Sequence, residues 1–166
     1  MGSLPTLGEC EQPKDSLSTL GECEQPKGSL PTPGEFAALR AFKLAISEDP
    51  LRKLSNLSSS GDPCSWSGIK CSDSKNNVIS LNFSNSSLKG FLVEEVGFLN
   101  SLKELILDNN LFYGTMPRQI GMLKSLQVLD LSANSFLGPI PSEIGDLISI
   151  TTINLHFNGL TGVIPP

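Results

Sequence analysis

From Val78 onward the apolar positions of the chain recur every 24 residues. Val78, Leu102, Leu126 and Ile150 open successive units. Leu81, Leu105, Leu129 and Ile153 share one later offset, and Phe83, Leu107, Leu131 and Leu155 share the next. Leu88, Phe112, Phe136 and Leu160 share a third, each followed two residues later by Gly90, Gly114, Gly138 or Gly162. No insertion breaks the register. Alternation around the paired leucines predicts a short strand in each unit. Leu105 and Leu107 point inward and Ile106 outward, because successive side chains of a strand face opposite ways.

Asn110, Asn134 and Asn158 occupy one offset in the last three units, where the first unit has Ser86. An asparagine amide both donates and accepts, so it can satisfy backbone groups left unpaired in a buried turn. Gly114 with Met116-Pro117, and Gly138 with Ile140-Pro141, then bend the chain onto the far side. There proline removes a donor and holds the backbone extended. This is the leucine-rich-repeat pattern. It predicts an α/β solenoid with a parallel sheet on the concave face, spanning 78–166 as three full units and a truncated fourth. One unit cannot bury its own apolar face, so stability needs about three. The sequence stops in mid-unit at Val163-Ile164-Pro165-Pro166. A fragment of a longer solenoid is expected, with Ile153, Leu155 and Leu160 uncovered and prone to associate.

The pattern upstream is different. Thr32-Pro33-Gly34-Glu35 has the form of a capping box with proline at the first helical position. Phe36, Leu39, Phe42 and Ile46 recur at helical spacing, predicting an amphipathic helix of about three turns. Asp49-Pro50 ends it, since a residue before proline avoids the helical region. A polar stretch then leads into Asp62-Pro63-Cys64-Ser65-Trp66-Ser67-Gly68-Ile69-Lys70-Cys71. We assign 32–77 to a cap on the repeats. Residues 1–31 repeat themselves every 13 residues, with starts at Ser3, Ser16 and Ser29. Rich in Pro, Gly, Glu and Ser, they cannot offset their own folding entropy and are expected to be disordered and dispensable.

Charge and composition narrow the function. The 166 residues carry a net charge of -5 and no block of Lys or Arg. Phosphate binding needs a clustered basic face, so nucleic acid is not an expected partner. No apolar run approaches the ~18 residues needed to span a bilayer, and no secretion signal is visible in the first 35 residues.

The cap motif and the Gly-x-Ile-Pro form of the third and fourth units resemble the extracellular part of plant leucine-rich-repeat receptor-like kinases. The resemblance covers roughly 35–166 and is nearest to members with small ectodomains. The Asp-Pro-Cys-x-Trp-x-Gly-x-x-Cys spacing is the specific element. There are departures: Leu57 stands where the family usually has Trp, and the 13-residue repeats replace a signal peptide. The resemblance implies a module that binds a peptide or protein ligand, or a co-receptor ectodomain, at the cell surface. The family's kinase motifs are missing from the sequence: it has no Gly-rich phosphate loop, Val-Ala-Ile-Lys or His-Arg-Asp. No enzymatic activity and no cofactor are expected. A soluble secreted repeat protein, such as an inhibitor of cell-wall-degrading enzymes, is the rival binding role. A truncated product without activity is the rival of another class.

Candidate sites follow. Cys64 and Cys71 fit a metal pair or a cap disulfide. Structural zinc takes four ligands at tighter spacing, and no histidine lies near, so the disulfide is expected. Closing this loop stabilises by roughly 2.5 kcal/mol. Trp66 is expected in the cap core, and Cys10 and Cys23, copies of one repeat position, are expected unpaired. Three glycosylation sequons begin at Asn56, Asn82 and Asn85. The expected binding surface is the outward row of each strand: Ser80, Asn82 and Ser84, then Glu104, Ile106 and Asp108. Val128, Asp130 and Ser132 follow, then Thr152, Asn154 and His156. Ile106 and Val128 form its apolar centre. Glu104, Asp108 and Asp130 favour a partner with Lys or Arg. His156, the one histidine, is expected to be solvated, and Ser132, Asp130 and His156 are not expected to form a catalytic triad.

Overall fold

The computed structural model describes residues 33–57 and 61–166. The duplicated segment with Cys10 and Cys23, and Ser58 of the first sequon, lie outside them. The chain opens with helix α1, Pro33–Leu44. Leu39 and Phe42 are buried from this helix, as their spacing predicts. Ile46 is not on it. Ile46–Glu48 forms strand β1 and pairs antiparallel with β4, Lys89–Phe91. The helical period ran past the true end because β1 pairs with a strand about forty residues away. A salt bridge of 2.9 Å between Lys89 and Glu48 fastens the same edge. The neighbouring Glu48 carboxylate holds the Lys89 ammonium above the ordinary lysine pKa.

The cap closes on Cys64 and Cys71, which are disulfide-bonded with Cα atoms 5.5 Å apart. Asp62 accepts from the Cys64 amide at 2.9 Å and starts the turn Pro63–Ser65. Trp66 is buried against Phe36, with ring centroids 5.9 Å apart. Leu57, standing in the tryptophan position, is buried as well. Strand β2, Ile69–Cys71, then pairs antiparallel with β3, Val78–Asn82. Glu35 of the helix accepts from the Val78 amide at 3.1 Å, tying the cap to the first repeat strand.

The repeats add β5 (Glu104–Ile106), β7 (Val128–Asp130) and β9 (Thr152–Asn154) in parallel, giving the order β2-β3-β5-β7-β9. Leu81, Leu105, Leu129 and Ile153 are register partners, so the 24-residue period becomes one strand per coil. Behind the sheet, Phe42 of α1 lies 5.7 Å from Phe83 and 6.1 Å from Phe112, and Phe112 stacks on Phe136 at 6.2 Å. Aromatic side chains of α1 and the first three coils thus carry the core from cap to third coil.

A second sheet was not foreseen. The segments around Gly114 and Gly138 do more than bend the chain. With β6 (Leu111–Thr115), β8 (Ser135–Pro139) and β10 (Gly159–Thr161) they form a sheet of order β1-β4-β6-β8-β10. Alternation is weak there, because glycine interrupts β4, β6 and β8 and both faces mix apolar with polar residues. On the convex side each coil closes in a short 3-10 turn, at Glu94–Phe98, Arg118–Met122 and Ser142–Asp146.

Candidate functional site

The concave sheet presents its outward residues in three rows. Register places Lys70, Ser80, Glu104, Val128 and Thr152 in the first. Asn82, Ile106, Asp130 and Asn154 form the second. Ser84, Asp108, Ser132 and His156 follow at the strand ends, at the offset of the 24-residue repeat. Ile106 and Val128 are half-buried neighbours near the centre, as alternation around the core leucines requires.

The polar residues are less free than their outward register suggests. Ser80 is only 3% exposed, and its hydroxyl donates to Glu104 at 2.9 Å. Ser132 is 5% exposed and donates to Asp130 Oδ1 through both its amide, at 3.0 Å, and its hydroxyl, at 2.6 Å. Asn154 donates to the other oxygen, Asp130 Oδ2, at 3.1 Å, and its own Oδ1 meets His156 Nδ1. Asp130 is therefore engaged on both oxygens. Among the described residues, nothing donates to the Asp108 carboxylate, which stands half-exposed beside the apolar pair. Since the Ser132 hydroxyl points to Asp130, and His156 meets Asn154, the three are not arranged as nucleophile, base and orienting acid.

Two features of this surface escaped the sequence reading. Lys70 adds a basic residue at the cap edge of the first row, because β2 pairs with β3. The sequence reading placed no strand in the cap motif, whose Ile69-Lys70-Cys71 is too short to show alternation. The second sheet offers another surface. Phe91 (46% exposed) and Tyr113 (42%) lie 6.5 Å apart beside a groove reaching Ala41, Leu44 and Glu95.

The last three coils turn after their strands by an asparagine ladder, where the first has Ser86. Asn110 Oδ1 accepts from the amides of Ser86 and Leu88 in the preceding coil, and Nδ2 donates to the Phe83 and Leu107 carbonyls. Asn134 and Asn158 repeat the arrangement, accepting from Phe112 and Phe136. This ladder sets the spacing at which the three rows stand. Asn56, Asn82 and Asn85 of the sequons are all exposed.

Comparison with known proteins agrees with this geometry. Residues 32–72 match the leucine rich repeat N-terminal domain, and residues 125–147 match the Leucine Rich Repeat family. A probable leucine-rich-repeat receptor-like serine/threonine-protein kinase of Arabidopsis thaliana is 55% identical over 74 residues, which is 44% of this chain and 11% of that protein. The crystal structure of PEPR1 with AtPEP1 is similar at a TM-score of 0.74 and 38% identity, covering 78% of this chain and 19% of that one. The ectodomain of the receptor kinase SOBIR1 from Arabidopsis thaliana is similar at 0.58 and 30% identity, covering 74% of this chain and 67% of that one. The chain thus spans a small part of the first two, and the matched regions are the repeat-bearing ectodomain portions of kinases.

Proposed function

Because the chain belongs to the leucine-rich-repeat ectodomains of plant receptor-like kinases, we propose that its concave sheet recognises a peptide or protein ligand for such a receptor, at the cell surface or in secreted form. The role is recognition, not catalysis, and needs no cofactor. We further assign 32–77 to the cap and 78–166 to the recognising repeats. The match over 32–72 and the start of β3 at Val78 support that division.

The observation that carries the reading is the half-exposed pair Ile106 and Val128 beside the unengaged carboxylate of Asp108. A few residues near the centre of a patch supply most of the binding energy. A carboxylate without an internal partner is free to meet a cation. Glu104, Asp130, Ser132, Thr152, Asn154 and His156 shape the surrounding surface. A ligand that presents an aliphatic or aromatic side chain next to Lys or Arg fits this centre. In PEPR1 with AtPEP1, a neighbour of the same fold is seen with its partner, and a co-receptor ectodomain is a second partner class for the same module.

The test is selection of peptides from a random display library on the folded chain. Selected peptides should carry a basic residue beside an apolar one. They should bind Ile106→Ala and Asp108→Ala more weakly, and Tyr113→Ser on the second sheet equally well. Loss with Tyr113→Ser alone would move the site off the concave face.

A further inference from the structure

The sequons at Asn82 and Asn85 begin three residues apart, and the fold treats their side chains very differently. Asn85 sits at φ 52°, with its Nδ2 donating to Ser84 Oγ at 2.9 Å and its Oδ1 accepting from Asn109 Nδ2. Nδ2 is the atom that a glycan would occupy, and modification there leaves a single N–H, so the sugar competes for a donor that the turn already uses. Asn82 ends β3 and is exposed. Its Oδ1 accepts from the Ser84 amide at 3.0 Å, and among the described residues nothing accepts from its Nδ2. Phe83 between them is buried, so Asn82 and Ser84 both face out.

We infer that Asn82 is the glycosylated residue of this pair and that its glycan lies over the first coil of the concave sheet. In the transfer, Asn82 Nδ2 attacks the anomeric carbon of a lipid-pyrophosphate oligosaccharide. The N–C bond forms, the C–O bond to pyrophosphate breaks, the lipid pyrophosphate leaves, and the amide nitrogen gives up one proton. The folded chain then accommodates the product without losing a hydrogen bond. Ile106 is the register partner of Asn82 on the next strand, about 4.8 Å away across the sheet. On the cap side the Asn82 amide bonds the carbonyl of Gly68, which adds no side chain. A glycan on Asn82 therefore stands beside Ile106 and covers the cap end of the surface. In so far as the concave face is the ligand surface, the glycan confines the ligand to the second coil onward.

The test uses the full chain, secreted from plant cells behind a cleavable signal. Enzymatic glycan release in heavy-oxygen water converts the modified asparagine to a labelled aspartate. Trypsin gives one peptide, residues 76–89, containing both candidates, and fragmentation between them assigns the label. The label is expected at Asn82. A label at Asn85, or an unmodified peptide, overturns the assignment. Hydroxyl-radical labelling of the glycosylated chain and of Asn82→Gln then reads the shielding. Ile106 should be labelled less in the glycosylated chain, with Tyr113 equal in both. Equal labelling of Ile106 overturns the placement of the glycan. Neither readout needs a ligand, so failure here is distinct from failure of the concave-face binding site.

Discussion

Ser132 donates its hydroxyl to Asp130 at 2.6 Å, within one coil, and so turns an outward carboxylate into a structural group. With Asn154 on its second oxygen, Asp130 links the third coil to the fourth. Asp108, one coil earlier, has no such partner among the described residues. Two outward aspartates in neighbouring coils therefore do different work.

That difference separates two substitutions. Asp130→Ala leaves the Ser132 hydroxyl and the Asn154 amide without their acceptor and should lower stability by about 1 kcal/mol. Asp108→Ala should leave stability within about 0.5 kcal/mol, as surface changes do. It should weaken a basic peptide mainly through its association rate, and flatten the salt dependence of binding. Urea unfolding, with association rates at two salt concentrations, measures both. Equal stability loss in the two variants would contradict the distinction.

The asparagine ladder predicts a larger effect inside. Asn134 accepts from the Phe112 amide at 2.9 Å and donates to the carbonyls of Leu107 and Leu131 at 2.9 and 3.1 Å. Asn134→Ala leaves these groups unpaired in a part-buried turn. The expected loss is about 2–3 kcal/mol, seen as a lower urea midpoint. Asn134→Asp keeps the acceptor but not the donor and should fall between the two.

Close approach on the convex side makes Gly121 harder to replace than Gly145. A Cβ on Gly121 would stand 2.5 Å from the Glu143 carbonyl oxygen and 2.7 Å from the Glu143 Cβ. On Gly145 the nearest atom is the Pro166 carbonyl oxygen at 3.3 Å. Gly121→Ala should cost about 1–3 kcal/mol by forcing coils apart. Gly145→Ala should cost clearly less, and thermal midpoints of the pair give the comparison.

The turn after each strand needs a left-handed residue. Asn85, Asn109, Ala133 and Phe157 have φ of 52°, 54°, 51° and 53° at this offset. Asparagine tolerates the conformation, whereas alanine is strained by roughly 1 kcal/mol or more. Ala133→Asn should raise stability by about 0.5 kcal/mol, part of that relief. A lower thermal midpoint would show that the new side chain clashes with its neighbours.

Much of this protein was legible in order along the chain. The period of 24, the buried Leu81, Leu105 and Leu129, the asparagine turns and the cap cysteines follow from residue type at fixed spacing. Each depends on one coil meeting an equivalent coil, and repetition states that in the sequence. The helix end was misread at Ile46, since an apolar residue in helical phase carries no sign that a strand at Lys89–Phe91 will take it. The second sheet was hidden for a similar reason. Its strands are held by backbone bonds across coils and show little alternation. Tertiary structure alone decided which outward polar groups are free. Asp108 and Asp130 share residue type and charge, and both stand on the outward face, in adjacent rows of neighbouring coils. Only the Ser132 hydroxyl, from the same coil, and the Asn154 amide, from the next, make one of them a structural acceptor. The other is left for a ligand.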